Sequence, residues 1–158
     1  MRLRLASVKE LQFLHCFQHR VWGTEWRAMK SWMKGDMLGF IVNKKIAGLA
    51  EVTGGHFYSE EAVWSNGIFP FRIPIKFIYV LDIENRVPIS GQVRDAIMRA
   101  WGMHYGFGIL NKQVLPEFAA RTIVNEMQSR PNALAVFQKE LLDRIKQEKI
   151  RLDQLYSE

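Results

Sequence analysis

The chain has 158 residues, of which 48% are hydrophobic and 24% charged, a composition typical of one globular domain and not of a disordered or fibrous chain. Charged residues interrupt every apolar run before it reaches the length of a membrane-spanning helix, and the basic start MRLRLASVKEL lacks the apolar centre of a secretory signal. Because the one cysteine, Cys16, cannot form an intramolecular disulfide, we expect a cytoplasmic protein that does not contact a membrane.

The net charge of +6 belongs to the first third of the chain. Residues 1–50 hold nine Lys and Arg residues against three acidic residues, and the remaining residues balance. Such an asymmetry predicts a polyanionic partner, of which nucleic acid is the commonest. A basic surface that serves only solubility is the alternative that composition leaves open.

The first half of the chain alternates strand and helix signals. RLRLASV predicts a strand that leads into a helix at SVKELQFLHCFQHR, where Ser7 has Glu10 three residues later, the spacing of a capping box. GDMLGFIV and IAGLAEV, joined by NKK, predict a β-hairpin.

The second half begins with the clearest strand, FPFRIPIKFIYVLDI. Pro70 and Pro74 cannot donate ladder hydrogen bonds, so we expect its early part to be an edge or bulged segment. Helices are predicted at 91–101, about 115–129 and 132–155, with the glycine-rich GMHYGFG between the first two and a cap at Asn132.

We divide the chain into a domain of residues 1–130 and a C-terminal helix of residues 131–158. That helix becomes strongly charged along its length. It is therefore either a solvated helix, attached loosely after about residue 140, or a connector to a partner protein or further domain.

Motifs that would indicate catalysis are missing from the sequence. Phosphate-binding G-x-x-x-x-G-K-[ST], H-E-x-x-H and G-x-S-x-G are absent. His15 and His19 are four residues apart without a third metal ligand nearby, a pattern more typical of a helix surface than of a zinc site. We therefore predict a binding module that is not an enzyme and that uses no metal and no cofactor.

Aromatic residues are unusually frequent, with five Trp and ten Phe. Trp22 is followed by Gly-Thr and Trp64 by Ser-Asn-Gly, so we expect both rings at the ends of regular elements, where they can line the mouth of a cavity. Trp26, Trp32 and Trp101 are expected to be core or helix-packing rings.

Four segments, in order and spacing, resemble the EVE domains of the PUA-like superfamily, which are relatives of the YTH domains. They are VWGTEW…MKSWMKGDMLGFIV, IAGLAEVTGGHFYSEEAVW, FPFRIPIKF and WGMHYGFGILNKQVLP, and together they span roughly residues 20 to 118. The resemblance implies an α+β fold, with a small, strongly curved, mixed β-barrel-like sheet flanked by helices and followed here by extra C-terminal helices.

YTH domains trap the methylated adenine of RNA in an aromatic pocket, and EVE-type domains of McrB-like restriction systems are similar and take up a modified base flipped from DNA. The resemblance therefore implies a reader of a modified base in nucleic acid. It places the base between Trp22, Trp64 and Phe69, with the backbone carbonyl of Gly23 facing the remaining N–H of the base.

Phosphate contacts are expected from a set of basic residues: Arg20, Arg27, Lys30, Lys34, Lys44, Lys45 and Arg72. Arg72 has two open roles, since it either contacts a phosphate or holds the pocket loop. YTH domains contact the adenine with an Asn or Asp upstream of the first Trp, and here only Gln12 or Gln18 could replace it, which leaves the base open.

Two other functions remain compatible with the sequence. One keeps the fold but binds RNA without dependence on a modification. The other is an interaction domain whose C-terminal helix pairs with a protein and whose pocket holds a small metabolite.

Overall fold

The computed structural model describes residues 1–26 and 29–157. Within these residues, seven strands form one mixed sheet: β1 Leu3–Val8, β2 Val21–Thr24, β3 Met37–Val42, β4 Lys45–Val52, β5 Phe57–Tyr58, β6 Phe71–Val80 and β7 Val87–Pro88. The same residues form five α-helices: α1 Glu10–His19, α2 Gly91–Trp101, α3 Gly106–Leu110, α4 Glu117–Gln128 and α5 Leu134–Tyr156. None of the described helices is both long enough and apolar enough to cross a membrane.

The sheet confirms the expected α+β fold, because it curls into a half-barrel with helices around it. Its strand order is β1-β3-β4-β6-β2, and the short strands β5 and β7 pair with β6 and β4. β1 and β3 are parallel, whereas the other described pairs are antiparallel. β1 and β2 thus end the main strand order, and the half-barrel is open between them.

Both faces of the sheet are covered by apolar packing. Leu38 and Phe40 of β3 point into a cluster that includes side chains of α1 and α5, whereas Ile41 joins a second cluster with α2 and α4. This division follows from the alternation of side chains along a strand. Cys16 is fully buried in the first cluster, as expected for a small core residue.

The predicted hairpin is confirmed. Asn43 and Lys44 connect β3 to β4 with φ angles of 50° and 63°, the left-handed pair that a tight two-residue hairpin turn requires. The predicted cap at Ser7 is wrong, because Ser7 belongs to β1 and Lys9 precedes the first residue of α1 without a side-chain cap. The strand continues two residues further than the capping-box pattern predicted.

The edge prediction for the start of β6 is also wrong, since Phe71–Pro74 pairs with β2. On its other side β6 pairs first with β5, through Phe71 and Arg72, and then with β4 from Ile75 onward. Pro74 lies where β6 changes this partner, so its missing N–H does not interrupt the ladder.

The three long C-terminal helices begin and end close to the predicted positions. The glycine-rich segment between the first two forms α3, a short helix that the sequence did not predict. The residue at the cap position of α5 is Ala133 and not Asn132 as predicted. The Asn132 side chain nevertheless accepts a hydrogen bond from the backbone N–H of Leu134 at 3.1 Å and another from the N–H of Val80 at 3.1 Å. Asn132 therefore also joins the start of α5 to β6.

α5 packs against α1 over much of its length. Phe137 and Ile145 are buried in the core beneath the sheet, and Leu141 and Leu152 pack against it. Arg144 bonds Asp82 at 3.4 Å. The helix is consequently not loosely attached after residue 140, because Ile145 is buried and the charged side chains of Arg144 and Glu148 are themselves partly buried. The boundary at residue 130 stays a prediction.

Candidate nucleic-acid interface

A cavity of about 600 Å³ lies in the opening of the half-barrel, between the edge strands β1 and β2. We call it the seam cavity. Its volume falls within the range of about 300–1,000 Å³ of small-molecule sites. It is lined by Ser7, Val8, Gln12, Trp22, Gly23, Thr24, Trp26, Met29, Trp32, Phe69, Leu110, Asn111 and Lys112.

Two stacked indoles form one wall of the seam cavity. The rings of Trp22 and Trp32 are nearly parallel, with an interplanar angle of 7° and a centroid distance of 5.2 Å. Both side chains are about 5% exposed. Trp32 is buried as predicted, but it also lines the cavity, which the sequence did not indicate.

A buried ion pair supports this wall from behind. The guanidinium of Arg4 lies 4.6 Å from the centroid of the Trp32 ring and donates to Asp36 Oδ2 at 2.8 Å. Burial would raise the pKa of Asp36, but hydrogen bonds from Arg4, from the Met33 N–H and from Arg2 hold that pKa below its usual value. Asp36 therefore stays charged and keeps Arg4 against the indole.

Lys112 brings a positive charge into the cavity. Its backbone is left-handed, with φ 54°, and its carbonyl accepts a hydrogen bond from Arg4 Nε at 3.2 Å. Its ammonium donates to the Ile109 carbonyl at 2.8 Å and lies 5.5 Å from the centroid of Trp22. Burial lowers the pKa of Lys112 to about 8, so the amine titrates close to physiological pH.

Trp64 does not line the seam cavity, which differs from the expectation that it stands at the mouth. It is 4% exposed, and its indole N–H donates to Cys16 Sγ at 3.3 Å. Its ring packs against Gly23, where a Cβ atom would come within 2.7 Å of the indole. Since successive residues of a strand face opposite sides, Trp64 supports β2 on the side away from Trp22.

Phe69 lines the cavity and is held in a strained backbone conformation. Its φ angle is 47°, a left-handed value that is uncommon for a bulky residue and that occurs most often at functional sites. Its ring meets Trp64 edge-on at a centroid distance of 5.6 Å. The loop between Trp64 and Phe69 thus joins a buried ring to a cavity-lining one.

Arg72 holds this loop in place. The side chain is buried, and its guanidinium donates to the carbonyls of Phe69, Ile68 and Glu61. It also lies 5.1 Å from the centroid of the Trp64 ring. Of the two roles that the sequence left open for Arg72, the structure favours the loop and leaves its guanidinium without access to a phosphate.

The other predicted phosphate ligands are exposed but are not gathered in one place. Arg20 ends α1 in a left-handed conformation, Lys30 and Lys34 lie in the loop between β2 and β3, and Lys44 and Lys45 lie at the β3–β4 turn. Lys30 lines a second cavity, of about 390 Å³, that shares Met29 with the seam cavity. Arg27 lies outside the described residues.

Several lining residues escaped the sequence analysis. Trp26 is 73% exposed, so the prediction that it is a core ring is wrong. Gln12 lines the cavity, whereas Gln18 is exposed on α1 and bonds His15. Residues 110–112 belong to the resemblance segment WGMHYGFGILNKQVLP but were not assigned to the site, because they reach β1 only through the fold, about 100 residues along the chain.

Histidines do not form a metal site in the described part of the chain, where no group of three or more His, Cys, Asp or Glu side chains could hold an ion. His15 is buried and not on the helix surface as expected, and its ring lies 6.1 Å from that of His19. Burial lowers the pKa of His15.

No protein-family model matches the sequence, and no curated protein matches it either. Solved structures do. One is the YTH domain of the Zygosaccharomyces rouxii MRB1 protein in complex with N6-methyladenosine RNA, with a TM-score of 0.60 at 15% identity, covering 84% of this chain and 90% of that one. The chain has a YTH-like fold.

Two further solved structures are similar to this chain in fold. The Pho92 YTH domain in complex with m6A aligns with a TM-score of 0.51 at 16% identity, over 80% of this chain and 82% of that one. The NMR structure of Rpa0253 from Rhodopseudomonas palustris aligns with a TM-score of 0.53 at 14% identity, over 84% and 97%. At such identities the likeness concerns the fold, which agrees with the resemblance that the sequence motifs carried.

Proposed function

We propose that the protein is a nucleic-acid reader module that accepts a modified base, with a methylated base as the first candidate, in the seam cavity. The observation that carries this proposal is an aromatic cavity at the open edge of a YTH-like half-barrel. Two of the matched YTH domains were solved with N6-methyladenosine RNA or m6A, which supports nucleic acid as the partner here.

Trp22 and Phe69 provide the apolar walls for the base. Trp32 covers one face of Trp22, and the Lys112 ammonium lies 5.5 Å from the centroid of the same ring. A base that stacks on Trp22 therefore displaces Lys112 from that ring, and stacking is worth roughly 1–3 kcal/mol per base. A methyl group adds about 0.8 kcal/mol when it is buried among apolar atoms. The cavity therefore favours the methylated form through burial.

Polar groups at the same cavity read the edge of the base. Gly23 offers a backbone carbonyl to the N–H that a methylated amine retains. Gln12 supplies both a donor and an acceptor from α1, and Lys112 supplies an ammonium donor. Of the cage residues expected from the sequence, Trp64 has a different role, since it holds Gly23 and Phe69 in place from behind.

Backbone phosphates are bound by the exposed lysines of the first third of the chain, chiefly Lys30 beside the cavity. Such contacts position the strand without reading its sequence. Extraction of a base from a duplex costs a few kcal/mol, which these contacts offset.

The targeting domain of a modification-dependent restriction system is the cellular role that we propose for such a module. α5 would then connect to an effector. In support, Leu142 and Leu155 of α5 are 71% and 61% exposed, which leaves apolar positions on the outer face of that helix for a protein partner.

A binding panel tests the proposal. Short RNA and DNA oligonucleotides, single-stranded and duplex, are compared with and without methyladenine or methylcytosine across a salt series. We expect one methylated form to bind at least about tenfold more tightly than its unmodified match, and affinity to fall steeply with salt. Trp22→Ala should remove the preference while the salt slope stays.

The alternatives predict different results from the same panel. Equal binding of modified and unmodified strands would overturn the modified-base proposal and favour a modification-independent RNA-binding protein. Absence of salt-dependent binding to every strand would overturn the nucleic-acid function itself.

A further inference from the structure

Three large apolar side chains near α3 are exposed to solvent. Met103, Phe107 and Leu110 have exposed fractions of 75%, 67% and 68%. We call this group the α3 tip. Phe107 and Leu110 line one shallow depression together, and exposed apolar patches on a folded domain mark interaction sites.

The α3 tip is continuous with the seam cavity. Leu110 lines that cavity together with Trp22 and Gly23, and it also lines a shallow depression beside Phe107 and His104. The tip therefore borders the seam cavity directly, at Leu110.

The base of the tip is firmly held. Gly108 lies against the indole of Trp101 so closely that a Cβ atom would overlap the ring. Just beyond α3, the Lys112 carbonyl accepts from Arg4 and the Leu115 N–H donates to the Leu3 carbonyl at 2.8 Å. The apolar side chains thus project from a braced turn fixed to β1.

We propose that Phe107 and Leu110 form an apolar wedge that enters a double helix where the modified base has left it for the seam cavity. This inference rests on the proposed function, and it adds that the substrate is a duplex. Apolar side chains inserted between base steps are a known means of supporting unstacked DNA, at a cost of a few kcal/mol per step. Filling the gap lowers the cost of extruding the base.

The position of the tip favours nucleic acid over a protein partner. Leu110 belongs to both surfaces, so a protein docked on the tip would cover the entrance of the cavity. A single strand needs no wedge, because its base is already free to leave the stack. The wedge therefore predicts an effect that is specific to duplexes.

The test compares three variants on methylated duplexes and on the matching single strands. Phe107→Ser removes the wedge without touching a residue that lines the seam cavity. Leu110→Ser is matched by Leu142→Ser, which removes an equally exposed leucine from α5. We expect Phe107→Ser and Leu110→Ser to weaken duplex binding by roughly tenfold. For Phe107→Ser, single-strand binding should stay unchanged, and Leu142→Ser should change neither.

The failure of the wedge differs from the failure of the reader function. Suppose that the wild-type protein prefers the methylated base. If Phe107→Ser then weakens duplex and single-strand binding equally, or weakens neither, the wedge is wrong and the reader function stands. The same holds if wild-type protein binds only single strands. If Phe107→Ser instead dissolves a dimer seen by light scattering and leaves duplex binding intact, the tip is a protein interface. Loss of all discrimination in the wild type overturns the reader function first.

Discussion

Gly23→Ala tests most directly whether the Trp64 loop and β2 form one tight wall of the seam cavity. A Cβ atom at this position would lie 2.6 Å from the Phe69 carbonyl oxygen and 2.7 Å from the Trp64 ring. Both distances are too short, and one neighbour is backbone, so the loop must shift. Overpacking of this kind costs about 1–3 kcal/mol.

A small gain partly offsets this cost. Replacing Gly by Ala where the backbone permits it stabilises by about 0.4–1 kcal/mol through the unfolded chain. We therefore expect a net loss of about 1–2 kcal/mol, which lowers the melting temperature by about 2–8 °C for a chain of this length. Because Gly23 and Phe69 both line the cavity, affinity for the methylated base should fall between about fivefold and a hundredfold.

Gly55→Ala is the matched control, since nothing lies within 4 Å of a Cβ atom there. It should leave the melting temperature unchanged or slightly raised and binding unaffected. Thermal melting and oligonucleotide titration are measured for both variants. A Gly23→Ala variant with the melting temperature of Gly55→Ala and the wild-type preference for the methylated base would contradict this prediction. The cavity wall would then accommodate a methyl group at residue 23 without a shift.

Three further variants probe the rest of the site. Trp64→Ala should cost about 3–5 kcal/mol in urea unfolding, as a buried aromatic does, and a melting temperature close to that of the wild type would show that the ring is not core. Lys112 has a folded-state pKa of about 8, below the ordinary 10.5, so the unfolded chain binds more protons and stability should rise between these pH values. Affinity for nucleic acid should fall as pH rises through about 8, and Lys112→Met should flatten both profiles. The exposed lysines to be replaced together by Glu are Lys30, Lys34, Lys44 and Lys45. Their replacement should weaken binding to all oligonucleotides alike and reduce the dependence of affinity on salt. Unchanged affinity would show that these lysines only solvate the surface.

Local sequence patterns predicted the elements that depend on neighbouring residues, namely the β3–β4 hairpin and the long helices. The hairpin around Asn43 follows from alternating apolar residues and a turn pair, and the helices follow from apolar spacing and Pro131. The resemblance supplied the curved sheet. The alternating RLRLASV pattern and the capping-box spacing overlap at Ser7 and Val8. The cap at Ser7 failed because pairing of β1 with β3 keeps both residues in the strand, and the capping-box spacing alone does not reveal that pairing.

The site was harder to predict than the fold. A turn after an aromatic residue indicated a cavity mouth for both Trp22 and Trp64, yet only the first lines the cavity. The two tryptophans differ in their tertiary contacts. Trp64 is buried because it contacts Cys16 and Gly23, which lie more than 40 positions earlier in the chain. Burial by distant neighbours also explains why Arg72 serves the loop.

The seam cavity follows from the way in which this sheet ends. A half-barrel has two edge strands whose outward backbone groups lack a strand partner, and such edges must be covered or used. Here the Arg4–Asp36 pair holds the Trp32 loop and the Lys112 segment against the edge of β1. Arg72 likewise holds the Phe69 loop against β2. The two coverings do not meet. The gap between them has aromatic walls, a strand backbone on either side and an ammonium group, which together suit a flat guest with polar edges and an anionic backbone. Covering the sheet edges and binding a base are thus two uses of the same side chains, so variants that loosen the buried ion pair should disturb recognition before they disturb the sheet.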